Sequence, residues 1–345
     1  MSKNNIIPDL ILRKYNQHKN ARILKLHTPS SIDQNGFVKI GGIDQWVTIR
    51  GEDRSNPVLF FIHGGPASPY SIFSPLLRSW EKHFTLVQWD QRGAGKTFRK
   101  NGEDGCGTIT FERLVQDGIE LSQYLCAELE HQKLILVGSS VGSLIGALMA
   151  QTHPGLFHAY VGTDQNAPDP HYLSYKLTID ALEAAGNAKA LRAVKKMGPD
   201  PSNWSRIEFD KMNQYIVKSI KHVPNMILDL FLPSMLSSPN HNIPDIISIF
   251  KGMDFSLGHL FEELLNFDFN KLDIKYELPF FIFQGDTDII TPAVTAKAYF
   301  DQIEAPCKEF VLIESAGHLA CFARPDQFLE ELLKRVRPLA ISSRQ

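Results

Sequence analysis

The chain has 345 residues, 43% of them hydrophobic, 21% charged and 10% aromatic. That length allows about two domains, or one large α/β unit with an insertion, and buries enough surface for a substantial core. The composition excludes a disordered, collagen-like or coiled-coil chain, and 36 basic against 38 acidic residues leave a net charge of −2, with no basic excess for nucleic acid or an anionic membrane surface.

Residues 1–35 read as an N-terminal arm whose first fifteen residues lack the uninterrupted apolar stretch of a signal peptide. Phe37–Ile40 and Gln45–Ile49 read as strands joined by a Gly41-Gly42 turn, a hairpin signal. Val58–Ile62, Phe84–Trp89, Leu134–Val137 and His158–Gly162 are short apolar runs, as expected of strands buried on both faces. Between them, Phe111–Leu129 carries Leu114, Leu121 and Leu125 at helical spacing, and Val141–Gln151 is a helix rich in small residues. The strand–helix alternation predicts a parallel sheet with helical crossovers over residues 36–164.

Residues 165–271 change character. They contain no convincing strand, Pro168 and Pro170 open them, and a helix is predicted over Leu177–Met197. Phe209, Met212, Met226, Phe231, Met235, Phe250, Phe255, Phe261 and Phe267 supply the core of a helical bundle, and some of them are candidates for an apolar pocket wall. The basic stretch Lys189–Lys196 reads as a solvated helix face. After residue 272 the α/β pattern resumes with Pro279–Phe283, Ala293–Ile303, Phe310–Ile313 and Pro325–Val336. The predicted architecture is therefore one α/β core, residues 36–164 and 272–345, with residues 165–271 inserted as a helical cap.

Four cysteines lie scattered with no C-x-x-C spacing, which argues against structural zinc and a disulfide framework and fits a reducing compartment. With no apolar run near the ~20 residues that span a bilayer, the reading is a cytoplasmic protein without membrane or nucleic-acid partner.

Gly138-Ser139-Ser140-Val141-Gly142 fits G-x-S-x-G and stands between a predicted strand and a predicted helix, the setting of a nucleophile elbow. Only Ser140 has a glycine two positions away on each side. A serine hydroxyl is a weak nucleophile and needs a base; His318, in a loop just after the strand Phe310–Ile313, has the best context among the twelve histidines. The base needs an acid to hold its tautomer. Asp286 and Asp288 both follow the strand Pro279–Phe283; Asp288 has the better position to reach His318, and Asp286 the better position to bond the turn backbone. The order Ser140, Asp288, His318 is the order in α/β-hydrolases. His63-Gly64-Gly65-Pro66 follows Val58–Ile62, and its glycines let backbone N–H groups approach a substrate oxygen. Gly65 and Val141 are the expected oxyanion donors, Gly64 a candidate substrate contact, and His63 a structural residue. Asp90 to Gly95 follows Phe84–Trp89, and Gly95-Lys96-Thr97 imitates a phosphate loop, but the glycine that motif needs would fall at Asp90.

Together these motifs resemble the α/β-hydrolase superfamily, and within it the proline iminopeptidase branch, with its H-G-G-P-G, D-Q-R-G-x-G-x-S, G-G-S-W-G, G-x-x-D-x-x-x-P and late G-H. Here they stand as His63 to Ala67, Asp90 to Thr97, Gly138 to Gly142, Gly285 to Pro292 and Gly317-His318, over about residues 36–164 and 272–345. Ala67, Thr97, Ser139 and Val141 depart from the branch pattern. The resemblance implies Ser140 as nucleophile, His318 as base, Asp288 as acid, Gly65 and Val141 as oxyanion donors, and a helical cap; the leading reading, a metal-independent serine hydrolase, calls for no cofactor or metal. The branch anchors a substrate's free amine on acidic residues, for which Asp164 is the candidate. The expected activity is that of a serine hydrolase on a small molecule or short peptide with a hydrophobic part, foremost an aminopeptidase. An esterase, amidase, lactonase or acyltransferase would use the same groups, and a non-enzymatic binding protein of this fold is the remaining alternative.

Overall fold

The computed structural model describes residues 10–219 and 222–342. The arm before residue 10 and the last three residues of the core segment lie outside the described residues.

Eight strands form one sheet: β1 Ile32–Ile40, β2 Ile43–Gly51, β3 Val58–Ile62, β4 Thr85–Asp90, β5 Leu134–Ser139, β6 Phe157–Thr163, β7 Phe280–Gly285 and β8 Lys308–Ile313, in the order β1-β2-β4-β3-β5-β6-β7-β8. β1 pairs with β2, and β2 with β4, antiparallel; every pairing from β4 through β8 is parallel. The β1–β2 turn is Gly41-Gly42, both at positive φ (56° and 81°), the backbone that a tight two-residue hairpin turn requires.

The apolar runs are explained by burial on both faces. Side chains alternate along a strand, so Val58, Phe60 and Ile62 of β3 enter one core and Leu59 and Phe61 the other. β5 and β7 divide in the same way, Leu134 and Leu136 against Ile135 and Val137, and Phe280 and Ile282 against Phe281 and Phe283. Each fully buried side chain of this kind contributes about 1.5–3 kcal/mol relative to exposure.

The helices, in chain order, are α1 Arg13–Ile23, α2 Gly95–Cys106, α3 Phe111–Leu129, α4 Val141–Thr152, α5 Leu173–Ala184, α6 Ala188–Met197, α7 Arg206–Ser219, α8 Leu232–Ser237, α9 Ile243–Leu265, α10 Ala293–Gln302, α11 Ala320–Ala323, α12 Pro325–Glu331 and α13 Arg337–Ser342. Among the described residues no strand lies between β6 and β7; that stretch is helical and holds a small core of its own around Leu182, Val194, Trp204 and Met212. No helix among the described residues is long and apolar enough to cross a membrane.

One expected helix divides. Leu177–Met197 is two helices, because Gly186 takes a left-handed φ of 66° and the Asn187 side chain accepts from Ala190 N at 3.2 Å, capping a new N-terminus. The arm also contains α1, which its polar composition does not announce. Arg13 Nη2 donates to the His241 carbonyl at 2.7 Å, Gln17 Nε2 to that of Ser238 at 2.8 Å, and Asn20 Nδ2 to that of Ser237 at 3.1 Å. The arm therefore satisfies carbonyls at the C-terminal end of α8, where a helix leaves its last acceptors unpaired.

Because β3 to β8 are parallel, the loops that follow them open on one edge of the sheet. His63 to Gly65, Asp90 to Gly95, Ser140, Asp164, Asp286 to Asp288 and His318 all lie on that edge, the usual place for a site in an open α/β sheet.

Candidate active site

Ser140 stands between β5 and α4 with φ 53° and ψ −127°, a conformation that costs a non-glycine residue about 1–3 kcal/mol. Two glycines make the turn possible. A Cβ at Gly142 would lie 2.2 Å from the Ile62 carbonyl oxygen and 2.6 Å from that of His63; one at Gly138 would lie 2.7 Å from the Gly142 carbonyl oxygen. The start of α4 thus rests directly on the end of β3, and the hydroxyl of Ser140 faces outward beside Gly65 and Val141 in the wall of a cavity of about 580 Å³.

His318 follows β8 and reaches both neighbours. Its Nε2 is 3.0 Å from Ser140 Oγ and its Nδ1 is 2.8 Å from Asp288 Oδ2. Asp288 is fixed in turn: Oδ1 accepts from Ile290 N at 2.8 Å and Thr291 N at 3.1 Å, and Oδ2 accepts from Thr291 Oγ1 at 2.8 Å. An acceptor so held assigns the proton to Nδ1 of the neutral ring and leaves Nε2 free to accept from the serine. Burial alone would push the imidazole pKa down, but the Asp288 and Asp164 carboxyls outweigh it and hold His318 up at about 9. Asp286 bonds backbone instead, accepting from Ser315 N at 3.0 Å and Ala316 N at 3.1 Å.

Asp164 is not in the cavity wall. Left-handed at the end of β6 (φ 50°), it is fully buried and its carboxyl lies near that of Asp288 and the ring of His318. Oδ2 accepts from Ser139 Oγ at 2.8 Å and Oδ1 from Ala320 N at 3.1 Å. Gly64 also stays out of the wall, close against Ser140 and the Val141 amide. One side-chain oxygen each of Asp164 and Asp288 and a ring nitrogen of His318 lie within 4.8 Å of one another. These are metal-ligand types, but hydrogen bonds to serine, threonine, imidazole and backbone N–H groups already orient them.

The remaining motifs build the frame. His63 is buried, donates through Nδ1 to the Gly64 carbonyl at 3.0 Å and accepts through Nε2 from Gln91 N at 3.2 Å; burial lowers its pKa to about 4 and keeps it neutral. Asp90 Oδ2 accepts from Lys96 N at 2.8 Å, and Thr97 Oγ1 donates to the Asp90 carbonyl at 2.5 Å. The segment that imitates a phosphate loop is therefore closed by its own aspartate.

Of the nine apolar residues singled out between residues 165 and 271, Phe209, Met212, Met226, Phe231 and Phe267 line the cavity. Two carboxylates, Asp169 and Asp210, also border it. Asp169 accepts from Leu173 N at 2.8 Å and Ser174 N at 2.9 Å, and Asp210 from Arg206 Nε at 3.3 Å. Sequence reasoning missed Thr291 and Tyr70, and weighed Ser139 only as a competing nucleophile, not as a donor to Asp164. Thr291 had a local signal, three residues past an aspartate in a turn; Tyr70 joins the site only through tertiary contact.

The chain belongs to the α/β-hydrolase fold family, whose model matches residues 57–325. It is 28% identical over 307 residues to a Bacillus subtilis (strain 168) protein described as "Probable aminopeptidase YbaC", a match spanning 87% of this chain and 95% of that protein. Among solved structures it resembles a membrane phospholipase A described as a bacterial virulence factor, with a TM-score of 0.62, 15% identity and coverage of 96% of this chain and 92% of that one. It also resembles a proline iminopeptidase-related protein from Thermus thermophilus, with a TM-score of 0.57, 18% identity and coverage of 89% and 99%. At these identities the likeness to solved structures establishes the fold.

Proposed function

We propose that the protein is a serine hydrolase working through Ser140, His318 and Asp288. The observation that carries this reading is the continuous contact from Ser140 Oγ to His318 Nε2 at 3.0 Å and from His318 Nδ1 to Asp288 Oδ2 at 2.8 Å. Ser140 Oγ attacks the substrate carbonyl while its proton passes to His318 Nε2, and Asp288 stabilises the imidazolium and holds its tautomer. The oxyanion is received by the N–H groups of Gly65 and Val141, each such donor being worth on the order of 3 kcal/mol in the transition state. His318 then protonates the leaving group, and water attacks the acyl-enzyme with His318 again as base.

The helical stretch of residues 165–271 acts as a cap, and its apolar wall selects a small substrate with a hydrophobic acyl part. The likeness to a probable aminopeptidase supports cleavage of a short peptide behind its first residue. A second reading, an esterase or amidase on a neutral acyl group, is favoured by the two wall carboxylates: Asp169 is committed to the start of α5 and Asp210 to Arg206. Turnover of proline-naphthylamide against p-nitrophenyl butyrate separates the two. Faster amide cleavage supports the aminopeptidase; ester cleavage with no amide cleavage supports the second reading and leaves the triad intact; turnover of either substrate that persists at wild-type rate in Ser140→Ala rejects the hydrolase assignment.

A further inference from the structure

The catalytic imidazole faces two buried carboxyl groups, and the triad chemistry uses only one. Asp288 bonds His318 directly. Asp164 makes no hydrogen bond to the ring, yet an oxygen of it lies within 4.8 Å of both a ring nitrogen and an Asp288 oxygen. It is wholly inaccessible to solvent and sits in a left-handed conformation that a non-glycine residue seldom adopts. A carboxyl group in such a place is costly unless its surroundings hold it.

They do so through an ordered chain of donors. Gly64 N–H donates to Tyr70 Oη at 3.4 Å, Tyr70 Oη lies 2.7 Å from Ser139 Oγ, and Ser139 Oγ donates to Asp164 Oδ2 at 2.8 Å. The other oxygen accepts from Ala320 N, two residues past the catalytic histidine, at 3.1 Å. Asp164 therefore joins the turn that holds Gly64 and Gly65, the strand that leads into the nucleophile and the loop that carries the base. When Ser140 transfers its proton, the positive charge on His318 arises beside two carboxyl groups in a dry setting, where opposite charges at this distance interact strongly.

We propose that Asp164 is a positioning residue: a second acid behind the triad that sets how readily His318 accepts the serine proton and ties the His318 loop to the Gly64 turn. The titratable groups facing it are Asp288 from the loop after β7, Tyr70 from the loop after β3, and Cys321 in α11. Tyr70 and Cys321 are pushed well above their ordinary pKa by burial and by the neighbouring Asp164 carboxyl, so neither adds charge beside His318. Asp164 is itself raised, by burial first, with Asp288 adding to it and His318 opposing.

This inference rests on the triad reading above, and its test separates the two. The His318 imidazole is titrated by NMR in the resting 345-residue chain and in Asp164→Asn, with His318→Gln identifying the resonance; the acid limb of kcat/KM on p-nitrophenyl butyrate is measured alongside. Asp164→Asn is expected to lower the His318 midpoint by about one pH unit and to move the acid limb with it. Ser139→Ala, which removes a donor that favours the ionised Asp164 carboxyl and so shifts it towards its protonated form, is expected to move both in the same direction by less. A merely structural Asp164 would lower stability and leave the midpoint where it was. An unchanged or raised midpoint in Asp164→Asn overturns the proposal, and Ser139→Ala decides on the same criterion if that variant does not fold. Loss of the hydrolase reading shows instead as failure of a fluorophosphonate to label Ser140, while the NMR midpoint still reports on Asp164.

Discussion

Arg92 and Asp117 form a buried, two-pronged ion pair: Nε to Oδ2 at 2.8 Å and Nη2 to Oδ1 at 3.2 Å, with neither side chain more than 4% exposed. The same guanidinium donates to the carbonyl of Gly41 in the β1–β2 turn at 2.9 Å and to that of Cys106 at the end of α2 at 2.5 Å. Gln45 Nε2 donates to Asp117 Oδ2 at 2.9 Å. The Asp-Gln-Arg-Gly stretch is thus a fastening for the hairpin and α3.

Asp117→Asn leaves the Arg92 charge buried without its counter-ion, so it should destabilise the fold by about 3–5 kcal/mol. Asp301→Asn, which removes an exposed pairing with Lys297, should cost at most about 0.5 kcal/mol. Urea unfolding of the two variants checks the contrast; equal losses would mean that burial of the Arg92 pair has no special weight.

Gly142→Ala should be far more damaging than Gly36→Ala. The first pushes a methyl group into the carbonyl oxygens of Ile62 and His63, and the second meets nothing within 4 Å. Overpacking of this kind costs about 1–3 kcal/mol, and because the backbone at the elbow must move, the rate of Ser140 acylation should fall too. Thermal unfolding and labelling kinetics report the two effects separately.

The pH dependence has two opposing edges. A histidine held low in the fold stabilises it above the unfolded pKa of about 6.5 and loses that contribution as pH falls. His63 and His241 are both lowered to about 4, by burial first, with nearby Lys96 adding for His241. Stability should therefore drop as pH falls from about 6.5 through 4. His318 is raised to about 9, so its contribution is full below about 6.5 and is lost as pH rises through 9. In the proposed mechanism the neutral ring is the base, so kcat/KM should climb over that same alkaline range. Urea midpoints and initial rates from pH 4 to 10 test both edges; a rate plateau already reached at pH 7 would contradict the raised His318.

Much of the site was legible because its signals are local. G-x-S-x-G needs only a strand before it and a helix after it, and the preference for Asp288 over Asp286 follows from their places in one turn. The apolar strands were legible because burial on both faces leaves uninterrupted runs such as Val58–Ile62. What was not legible depends on contacts between distant segments. α1 buries no side chain, and its partners are carbonyls more than 200 residues away. The place of Asp164 under His318 follows from β6 lying between β5 and β7, a neighbour relation that no local pattern encodes. The break at Gly186 was hidden because a lone glycine inside a helical pattern reads equally as an interruption or a tolerated residue.

The contacts of α1 have a measurable consequence. Replacing Gln17 and Asn20 together by alanine removes donors to the Ser237 and Ser238 carbonyls, each bond being worth about 1 kcal/mol. Hydrogen exchange should quicken across Leu232–Ser237 while the strands of the sheet keep their protection. Unaltered exchange there would show that the arm lies on α8 without holding it.

Reaction of the 345-residue chain with a fluorophosphonate, followed by mass spectrometry of the proteolytic peptides, reads the reactivity of Ser140 itself. One phosphonyl adduct is expected, on Ser140, absent from Ser140→Ala and strongly slowed in His318→Gln. No adduct on the folded wild-type protein, or an adduct that persists in Ser140→Ala, would contradict the proposal that Ser140 is the nucleophile.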